Sequence, residues 1–231
     1  LSLCTIPFMK NIWKIIFILL CVIHIAALVL QLPNLVFISK PLLMPALALW
    51  MFSETKPVRF VRGAWLAGLA FSTLGDILLM VRAEGKGEIF FVLGLGAFLL
   101  AHVFYIGALW FLLQGKSGNL RQNPLWVIPF ALYLLALLGW LWPGIPAGLH
   151  FPVGAYGIVI TAMALSVMQL RSHVPSTVFQ IRMSGAILFV LSDSLLAMGK
   201  FGNISTGNIS VMVTYILGQA LLTYGIIRLL K

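Results

Sequence analysis

The sequence predicts an all-α, polytopic membrane protein with eight transmembrane helices. Hydrophobic residues make up 61% of the 231-residue chain, whereas charged residues make up only 9%. A soluble domain usually carries about 25% charged residues, so lipid must surround most of this chain. The apolar residues also form eight runs, each close to the roughly 20 residues that a membrane helix needs.

The eight runs are bounded by charged residues, glycine or proline. They cover residues 12–30, 35–52, 60–81, 89–113, 124–142, 152–170, 179–198 and 208–230. Pro33 and Asn34 separate the first two runs, and basic residues stand at most of the other boundaries. The first run follows two lysines but lacks a clear small-residue cleavage site, so we interpret it as a retained helix. Because only short loops remain, we expect residues 1–231 to form a single transmembrane domain.

The distribution of basic residues predicts the orientation of the helices. With the N-terminus inside, eleven Lys and Arg residues lie at cytoplasmic ends and three at the opposite ends, and the positive-inside rule then places both termini in the cytoplasm. The eleven are Lys10, Lys14, Lys56, Arg59, Arg62, Lys116, Arg121, Arg171, Arg182, Arg228 and Lys231, and the three are Arg82, Lys86 and Lys200. The compact loops are typical of a bacterial inner-membrane protein.

Several classes of function find no support in the sequence. The net charge of +10 is spread over the run ends rather than clustered, so we predict no nucleic-acid partner. Neither a phosphate-binding glycine loop nor a nucleophile elbow is present, and we predict no cofactor. Zinc held by His24, His102 and an Asp is the one metal alternative. No His pair at i, i+4 supports it, so we predict no metal and interpret His24 as a helix-packing residue.

The two halves of the chain echo each other. The six residues around Asp76, Leu-Gly-Asp-Ile-Leu-Leu, resemble the six around Asp193, Leu-Ser-Asp-Ser-Leu-Leu. Each Asp is followed 26 residues later by the most conspicuous polar residue of the next run, which is His102 in one case and Gln219 in the other. This spacing indicates two four-helix halves in parallel orientation, as in transporters built from parallel repeats.

Two acids lie inside apolar runs. An Asp at the centre of a membrane helix costs about 2.5–3.5 kcal/mol and normally faces the bundle interior, where a functional role is expected. Asp76 and Asp193 each lie about fifteen residues from a cytoplasmic helix start, which at 1.5 Å per residue puts both at a similar depth. Lys40 enters from the opposite side and reaches a comparable level.

This trio of charged residues has a structural and a catalytic interpretation. Lys40 could form a buried salt bridge that only fixes packing. One lysine does not neutralise two carboxylates, however, so we expect the second carboxyl to stay protonated near neutral pH. A protonated and an ionised carboxyl together form a general acid with a base or charge stabiliser, and we favour this interpretation.

Other polar residues in the runs are placed to surround the two acids. Individually such side chains most often form hydrogen bonds between membrane helices. Collectively they predict a polar pocket with supporting residues and substrate contacts. They share helix faces at spacings of three or four residues: Ser72 with Asp76, His102 with Tyr105, and Tyr215 with Gln219.

An ordered set of short motifs resembles the YhhN family of membrane proteins, which includes the mammalian lysoplasmalogenases. Runs one, five and six add little to the resemblance beyond hydrophobicity. The motifs, in order, are Lys40-Pro41 with Pro45, the Leu-Gly-Asp that ends at Asp76, Ala101-His102 with Tyr105, Ser192-Asp193 with Leu195-Leu196-Ala197, and Tyr215 with Gln219.

The resemblance implies an eight-helix fold and hydrolysis of the vinyl ether bond of lysoplasmalogens, which are lysophospholipids of the bilayer. The products would be a fatty aldehyde and a glycerophospho-ethanolamine or glycerophospho-choline, with Asp76 and Asp193 as the catalytic pair. A proton-coupled transporter of a small molecule or lipid is the main alternative, because intramembrane acids also serve as proton relays. An intramembrane aspartyl protease is a second alternative, although the Pro45-Ala46-Leu47 run precedes both acids rather than following them.

Overall fold

A computed structural model describes residues 7–56, 58–81, 87–113 and 115–231. In these ranges the chain forms nine α-helices and three short 3-10 helices, and no strand is present. The α-helices are α1 (Pro7–Val29), α2 (Pro33–Glu54), α3 (Arg59–Met80), α4 (Gly87–Leu113), α5 (Asn119–Gln122), α6 (Val127–Leu141), α7 (His150–Gln169), α8 (Ser176–Phe201) and α9 (Asn208–Leu230). The 3-10 helices, Pro124–Trp126, Trp142–Gly144 and Ala147–Leu149, flank α6 and precede α7.

Eight helical segments in the described ranges are long and apolar enough to cross a membrane, and each overlaps one predicted run. This confirms the prediction of an all-α protein with eight transmembrane helices. The segments are Asn11–Val29, Pro33–Glu54, Phe60–Met80, Gly87–Leu113, Pro124–Gly144, Ala147–Gln169, Ser176–Phe201 and Asn208–Leu230. Many large apolar side chains remain exposed on the outer faces, including Leu125 at 73% and Phe151 at 84%. Exposed apolar surface on this scale requires lipid contact, so the chain is an integral membrane protein.

The division between the first two spans is a tight turn. Gln31 adopts a left-handed backbone conformation with φ of 54°, and α2 begins directly afterwards at Pro33. Proline suits a helix start because its missing N–H would have no partner there. The predicted split at Pro33 and Asn34 is therefore confirmed.

Among the described residues, two helix pairs make the most extensive contacts with each other, and they share one register. The helices α3 and α4 pack along their length, as do α8 and α9. In the first pair Gly68 lies against the ring of Tyr105, and in the second Gly185 lies against Leu222. Both contacts join residues 37 positions apart, which is the relationship that a parallel repeat of two four-helix halves would produce. The helix α4 also contacts α7, and α9 contacts α2.

A continuous buried core runs between these central helices and includes Trp65, Tyr105 and Phe189. Arg182, which the sequence places among the cytoplasmic charges, is also buried, and only 1% of it is exposed. The stem of this arginine packs on Gly225 of α9, where a glycine leaves room for it. Arg82 and Lys86, which are predicted to face the opposite side, lie outside the described residues.

Candidate active site

The first acid, Asp76 on α3, is buried between α2 and α9. Its side chain is 3% exposed, and Lys40 Nζ of α2 lies 3.4 Å from its Oδ1 atom. Tyr215 of α9 donates a hydrogen bond to the other oxygen, Oδ2, over 2.8 Å. Both carboxylate oxygens therefore have a partner, and the predicted pairing of Lys40 with one of the two acids is observed at Asp76.

A closed set of hydrogen bonds lies one helical turn from Asp76. Gln219 Nε2 donates to Ser72 Oγ over 3.0 Å, and Tyr105 Oη donates to Gln219 Oε1 over 3.0 Å. The two hydroxyls of Ser72 and Tyr105 are themselves 3.4 Å apart. All three side chains are buried, and together they join α3, α4 and α9 beneath the carboxylate.

The second acid, Asp193 on α8, has a different environment. It is only partly buried, and Tyr156 of α7 donates a hydrogen bond to its Oδ2 atom. Ser192, the preceding residue, donates instead to the backbone carbonyl of Val211 over 3.0 Å. The side chain of Ser192 therefore ties α8 to α9.

His102 lies between the two acid environments. Its Nδ1 atom is 2.7 Å from the carbonyl oxygen of Phe98, one turn earlier in α4. The imidazole meets the ring of Tyr156 edge-on, with centroids 5.7 Å apart, and the ring of Phe189 edge-on at 4.8 Å. Phe189 in turn packs against Tyr215 at 5.5 Å. A continuous row of aromatic rings thus connects the hydroxyl partner of Asp193 to the hydroxyl partner of Asp76.

The two carboxylates share one interior but have separate partners. The hydrogen bonds described for each go to a different tyrosine. The arrangement therefore differs from a dyad whose two carboxyls share one proton directly. It supplies one carboxylate with a cation beside it and one carboxyl with a neutral donor.

Tyr156 is the residue that sequence reasoning missed. The sixth run adds little to the family resemblance beyond hydrophobicity, and no motif singles out its tyrosine, whose hydroxyl contacts Asp193. The repeat contained a signal. Lys40 precedes Asp76 by 36 residues and Tyr156 precedes Asp193 by 37, so the two partners occupy nearly equivalent positions in the two halves.

His24 lies outside this constellation. Its Nδ1 atom is 2.8 Å from Ser39 Oγ, so the imidazole joins α1 to α2, in agreement with its interpretation as a packing residue. Within the ranges described, no three His, Cys, Asp or Glu side chains gather closely enough to hold a metal ion. The zinc alternative built on His24, His102 and an Asp is therefore not assembled.

Comparison with known proteins decides the family. The model of the YhhN family matches residues 35–226, which is most of the chain. The chain belongs to the YhhN family. This confirms the resemblance that the ordered motifs around Lys40, Asp76 and Asp193 carry.

Curated relatives of this YhhN protein carry the name lysoplasmalogenase. That of Mycobacterium bovis is 32% identical over 165 residues, which cover 70% of this chain and 59% of the relative. Lysoplasmalogenase TMEM86B of Homo sapiens is 30% identical over 192 residues, covering 81% and 73%, and TMEM86A of Bos taurus is 27% identical over 188 residues, covering 78% and 73%. The chain thus spans about three fifths of the length of the mycobacterial relatives that it matches. No solved structure matches it significantly.

Proposed function

We propose that this YhhN protein hydrolyses the vinyl ether bond of lysoplasmalogen-type lysophospholipids and releases a fatty aldehyde and a glycerophospho-alcohol. The names of its relatives support the substrate class. The observation that carries the chemistry is the unlike surroundings of the two interior acids: Asp76 has Lys40 beside it, and Asp193 has the hydroxyl of Tyr156.

Vinyl ether hydrolysis begins with transfer of a proton to carbon. Protonation of the alkenyl carbon distal to the ether oxygen converts the double bond into an oxocarbenium ion. Water then adds to the carbon attached to oxygen and loses a proton, which gives a hemiacetal. The hemiacetal collapses to the aldehyde while its proton moves to the departing glycerol oxygen. One water is consumed in total, and the acid that donated the first proton is restored by the proton from water.

Asp193 is suited to donate the first proton. Among the described side chains, no cation lies within salt-bridge distance of this residue, so it lacks the positive charge that Asp76 has beside it. A carboxylic acid can accept the hydrogen bond of Tyr156 on Oδ2 and still present its proton from Oδ1. Asp193 is also the more accessible of the two acids, as a group that must reach a lipid substrate needs to be.

Asp76 is suited to remain a carboxylate and stabilise the cation. Lys40 balances its charge, and Tyr215 fixes the orientation of its second oxygen. A buried carboxylate near a forming oxocarbenium ion lowers the barrier, as the paired carboxyl groups of glycosidases do. The same oxygen atoms can orient the attacking water, whose proton returns to Asp193, the acid that gave up the first one.

The decisive experiment presents purified protein in lipid nanodiscs with matched vinyl ether, alkyl ether and acyl lysophospholipids. We expect aldehyde from the vinyl ether lipid alone. In H₂¹⁸O, with rapid reduction of the aldehyde, the label should appear in the fatty alcohol and not in the glycerol product, because water adds to the alkenyl carbon. Loss of the acyl lipid, or label in the glycerol product, would overturn the proposal.

Variants test the two acids. Asp76→Asn and Asp193→Asn should each lower aldehyde release by about 10²-fold or more, the contribution typical of a positioned acid or base. Glu88→Gln, which changes an exposed acid in the first turn of α4, serves as the matched control and should keep full activity. If the protein instead takes up substrate into liposomes and forms no aldehyde, it is a proton-coupled transporter, the main alternative function for intramembrane acids.

We propose further that the protein resides in a bacterial inner membrane with both ends of this chain in the cytoplasm. The excess of basic residues at one set of helix ends supports this orientation. Single cysteines placed at exposed Lys116 and Lys200 in a variant that lacks Cys4 and Cys21 test it, because only the latter should react with an impermeant maleimide added from outside. The reverse labelling pattern would refute the orientation.

A further inference from the structure

One ring nitrogen of His102 is left without a partner in the protein interior. The residue is fully buried, and its Nδ1 atom lies 2.7 Å from the carbonyl oxygen of Phe98. A carbonyl only accepts, so Nδ1 must carry the hydrogen, and Nε2 of the neutral ring is then an acceptor. Among the described residues nothing hydrogen-bonds to Nε2, and a buried acceptor is costly to leave unpaired.

The equivalent residue in the other half of the chain has a partner at each end of its amide. Gln219 follows Asp193 by 26 residues, as His102 follows Asp76. The amide of Gln219 donates to Ser72 and accepts from Tyr105. A polar side chain at this level of the bundle can therefore be satisfied by the protein itself, and in one half it is.

The protein does not offer His102 the same partners. The residue that precedes Asp193 by four positions is Phe189, where the other half has a serine. The residue that faces the packing glycine of α8 is Leu222, where the other half has a tyrosine. Both positions that carry a hydroxyl in one half are thus apolar in the other. The open nitrogen is a specific difference between the halves rather than a general feature of the fold.

The open nitrogen belongs to the same interior as the proposed acid. The ring of His102 contacts Tyr156, which donates to Asp193, and Phe189, which precedes Asp193 by one helical turn. Both of these rings thus also adjoin Asp193, one through a hydrogen bond and the other through the helix backbone. Because the nitrogen is an acceptor, the group that completes it must be a hydrogen-bond donor.

We propose, resting on the proposed function, that His102 Nε2 accepts a hydrogen bond from the free sn-2 hydroxyl of the lysophospholipid and so selects lyso lipids over 2-acyl lipids. In the glycerol backbone of such a substrate the ether and phosphate oxygens only accept. The sn-2 hydroxyl is the single donor there, and only two carbon atoms separate its oxygen from the ether oxygen. An acyl group at this position removes the donor and leaves Nε2 unpaired.

Two substitutions of His102 separate its two nitrogens. In His102→Gln the terminal amide reaches the level of Nε2 and can accept through Oε1, as Gln219 does in the other half. In His102→Asn the shorter amide reaches only the level of Nδ1, so it can bond to the Phe98 carbonyl but offers no acceptor at Nε2. Both variants keep a polar amide in place of the imidazole and differ in how far it reaches. Each is therefore a control for the other.

The readout is selectivity for the hydroxyl. Turnover is compared between a vinyl ether lysophospholipid and its 2-deoxy analogue, in which hydrogen replaces the hydroxyl. The wild-type protein should favour the hydroxyl lipid by about tenfold to a hundredfold in kcat/KM, the range expected for one unpaired buried acceptor. His102→Gln should keep most of this preference, and in His102→Asn the ratio should fall to near one.

A binding measurement separates this inference from the proposed function. Saturated alkyl ether lysolipids with and without the sn-2 hydroxyl cannot be hydrolysed, so their affinities for nanodisc-embedded protein are measured directly. If no aldehyde forms but the hydroxyl preference in binding exists and disappears in His102→Asn, the inference stands and the hydrolase proposal falls. If aldehyde forms and His102→Asn keeps the preference, the inference is wrong. If His102→Asn loses turnover equally on the hydroxyl lipid and on its 2-deoxy analogue, the preference for the hydroxyl is unchanged and the inference is also wrong. Nε2 would then accept a hydrogen bond from a water molecule instead of from the substrate.

Discussion

Tyr156 on α7 donates a hydrogen bond to the carboxyl group of Asp193 on α8, one position away from the residue that corresponds to Lys40, the partner of Asp76, when the two halves are aligned on their acids. The two halves thus present a neutral donor in one case and a cation in the other. Two acids with identical surroundings would have the same tendency to be protonated. The lysine beside one acid and the tyrosine beside the other make their surroundings unlike, and the separate roles proposed for the two acids rest on this difference.

Tyr156→Phe tests whether the neutral donor matters to turnover. The substitution keeps the buried ring and removes only the hydroxyl that orients Asp193. We expect aldehyde release to fall by about tenfold, the effect of losing one interior hydrogen bond of roughly 1.4 kcal/mol. The measurement is kcat with a vinyl ether lysophospholipid.

A matched control lies on the neighbouring helix. Tyr133 donates to Ser194 over 2.8 Å, next to Asp193 in sequence, but its side chain is 44% exposed. Tyr133→Phe should change turnover by no more than about twofold. Equal effects of the two substitutions would mean that the hydroxyl of Tyr156 acts only through packing of α7 on α8.

The ion pair of Lys40 and Asp76 should be a stability determinant as well as part of the site. Lys40→Met leaves the buried carboxylate of Asp76 without its cation, and breaking a buried pair in this way costs about 3–5 kcal/mol. Because the Lys40 side chain is 17% exposed, we expect a loss of about 2–3 kcal/mol in the free energy of unfolding. Denaturant unfolding in lipid-detergent micelles measures it.

The double variant Lys40→Met with Asp76→Asn provides the control for this experiment. It removes both charges, so most of the lost stability should return while aldehyde release stays low. A double variant as unstable as Lys40→Met alone would show that the lysine stabilises the bundle through its aliphatic stem. Recovery of activity together with stability would remove Asp76 from the mechanism.

Local properties of the sequence predict the helices and part of the site. The length and apolarity of each run decide whether it can cross a membrane, and neither depends on the rest of the chain. Depth also follows locally, because each residue of a helix adds 1.5 Å. Counting residues from the helix ends was therefore enough to put Lys40 at the level of Asp76, and the two side chains do meet.

Contacts set by the rotation and pairing of helices could not be obtained in the same way. A tyrosine in an apolar run is equally suited to packing or to an interface, and only the approach of α7 to α8 brings Tyr156 to Asp193. Arg182 looks like a charge at a helix end in the sequence, yet the glycine opposite it on α9 allows its side chain to lie inside. Both contacts join residues from different helices and leave no local pattern.

Gln219 should contribute more to stability than to catalysis. Gln219→Leu removes the donor to Ser72 and the acceptor for Tyr105, which leaves two buried hydroxyls with poorer partners. We expect a loss of about 1–3 kcal/mol in the free energy of unfolding. The change in KM for the vinyl ether lipid should correspond to a smaller free energy than this loss. Thr73→Val is the control, because Thr73 donates to the backbone of its own helix and its loss should be nearly neutral. A stable but inactive Gln219→Leu protein would instead place the amide against substrate.

The shared register of the two central helix pairs can be tested with three glycines. A Cβ atom on Gly68 would overlap the ring of Tyr105, and one on Gly185 would lie 2.7 Å from the backbone nitrogen of Leu222. Gly63, on the outer face of α3, has nothing within 4 Å. Overpacking of a close helix contact costs about 1–3 kcal/mol, whereas alanine in an open helix position is favoured by up to about 1 kcal/mol.

The expected order of stability is therefore Gly63→Ala at or above the wild type, then Gly68→Ala, then Gly185→Ala. A side chain can rotate away from a new methyl group and a backbone cannot, so the α8–α9 pair should lose more stability than the α3–α4 pair.

Rotation of Tyr105 should also affect the site, because the same ring carries the hydroxyl that donates to Gln219. Gly68→Ala should then lose hydrogen bonding at the site as well as packing, and aldehyde release should fall with stability. A Gly185→Ala protein as stable as the wild type would mean that α8 and α9 do not approach as closely as α3 and α4, and the common register of the two halves would be wrong.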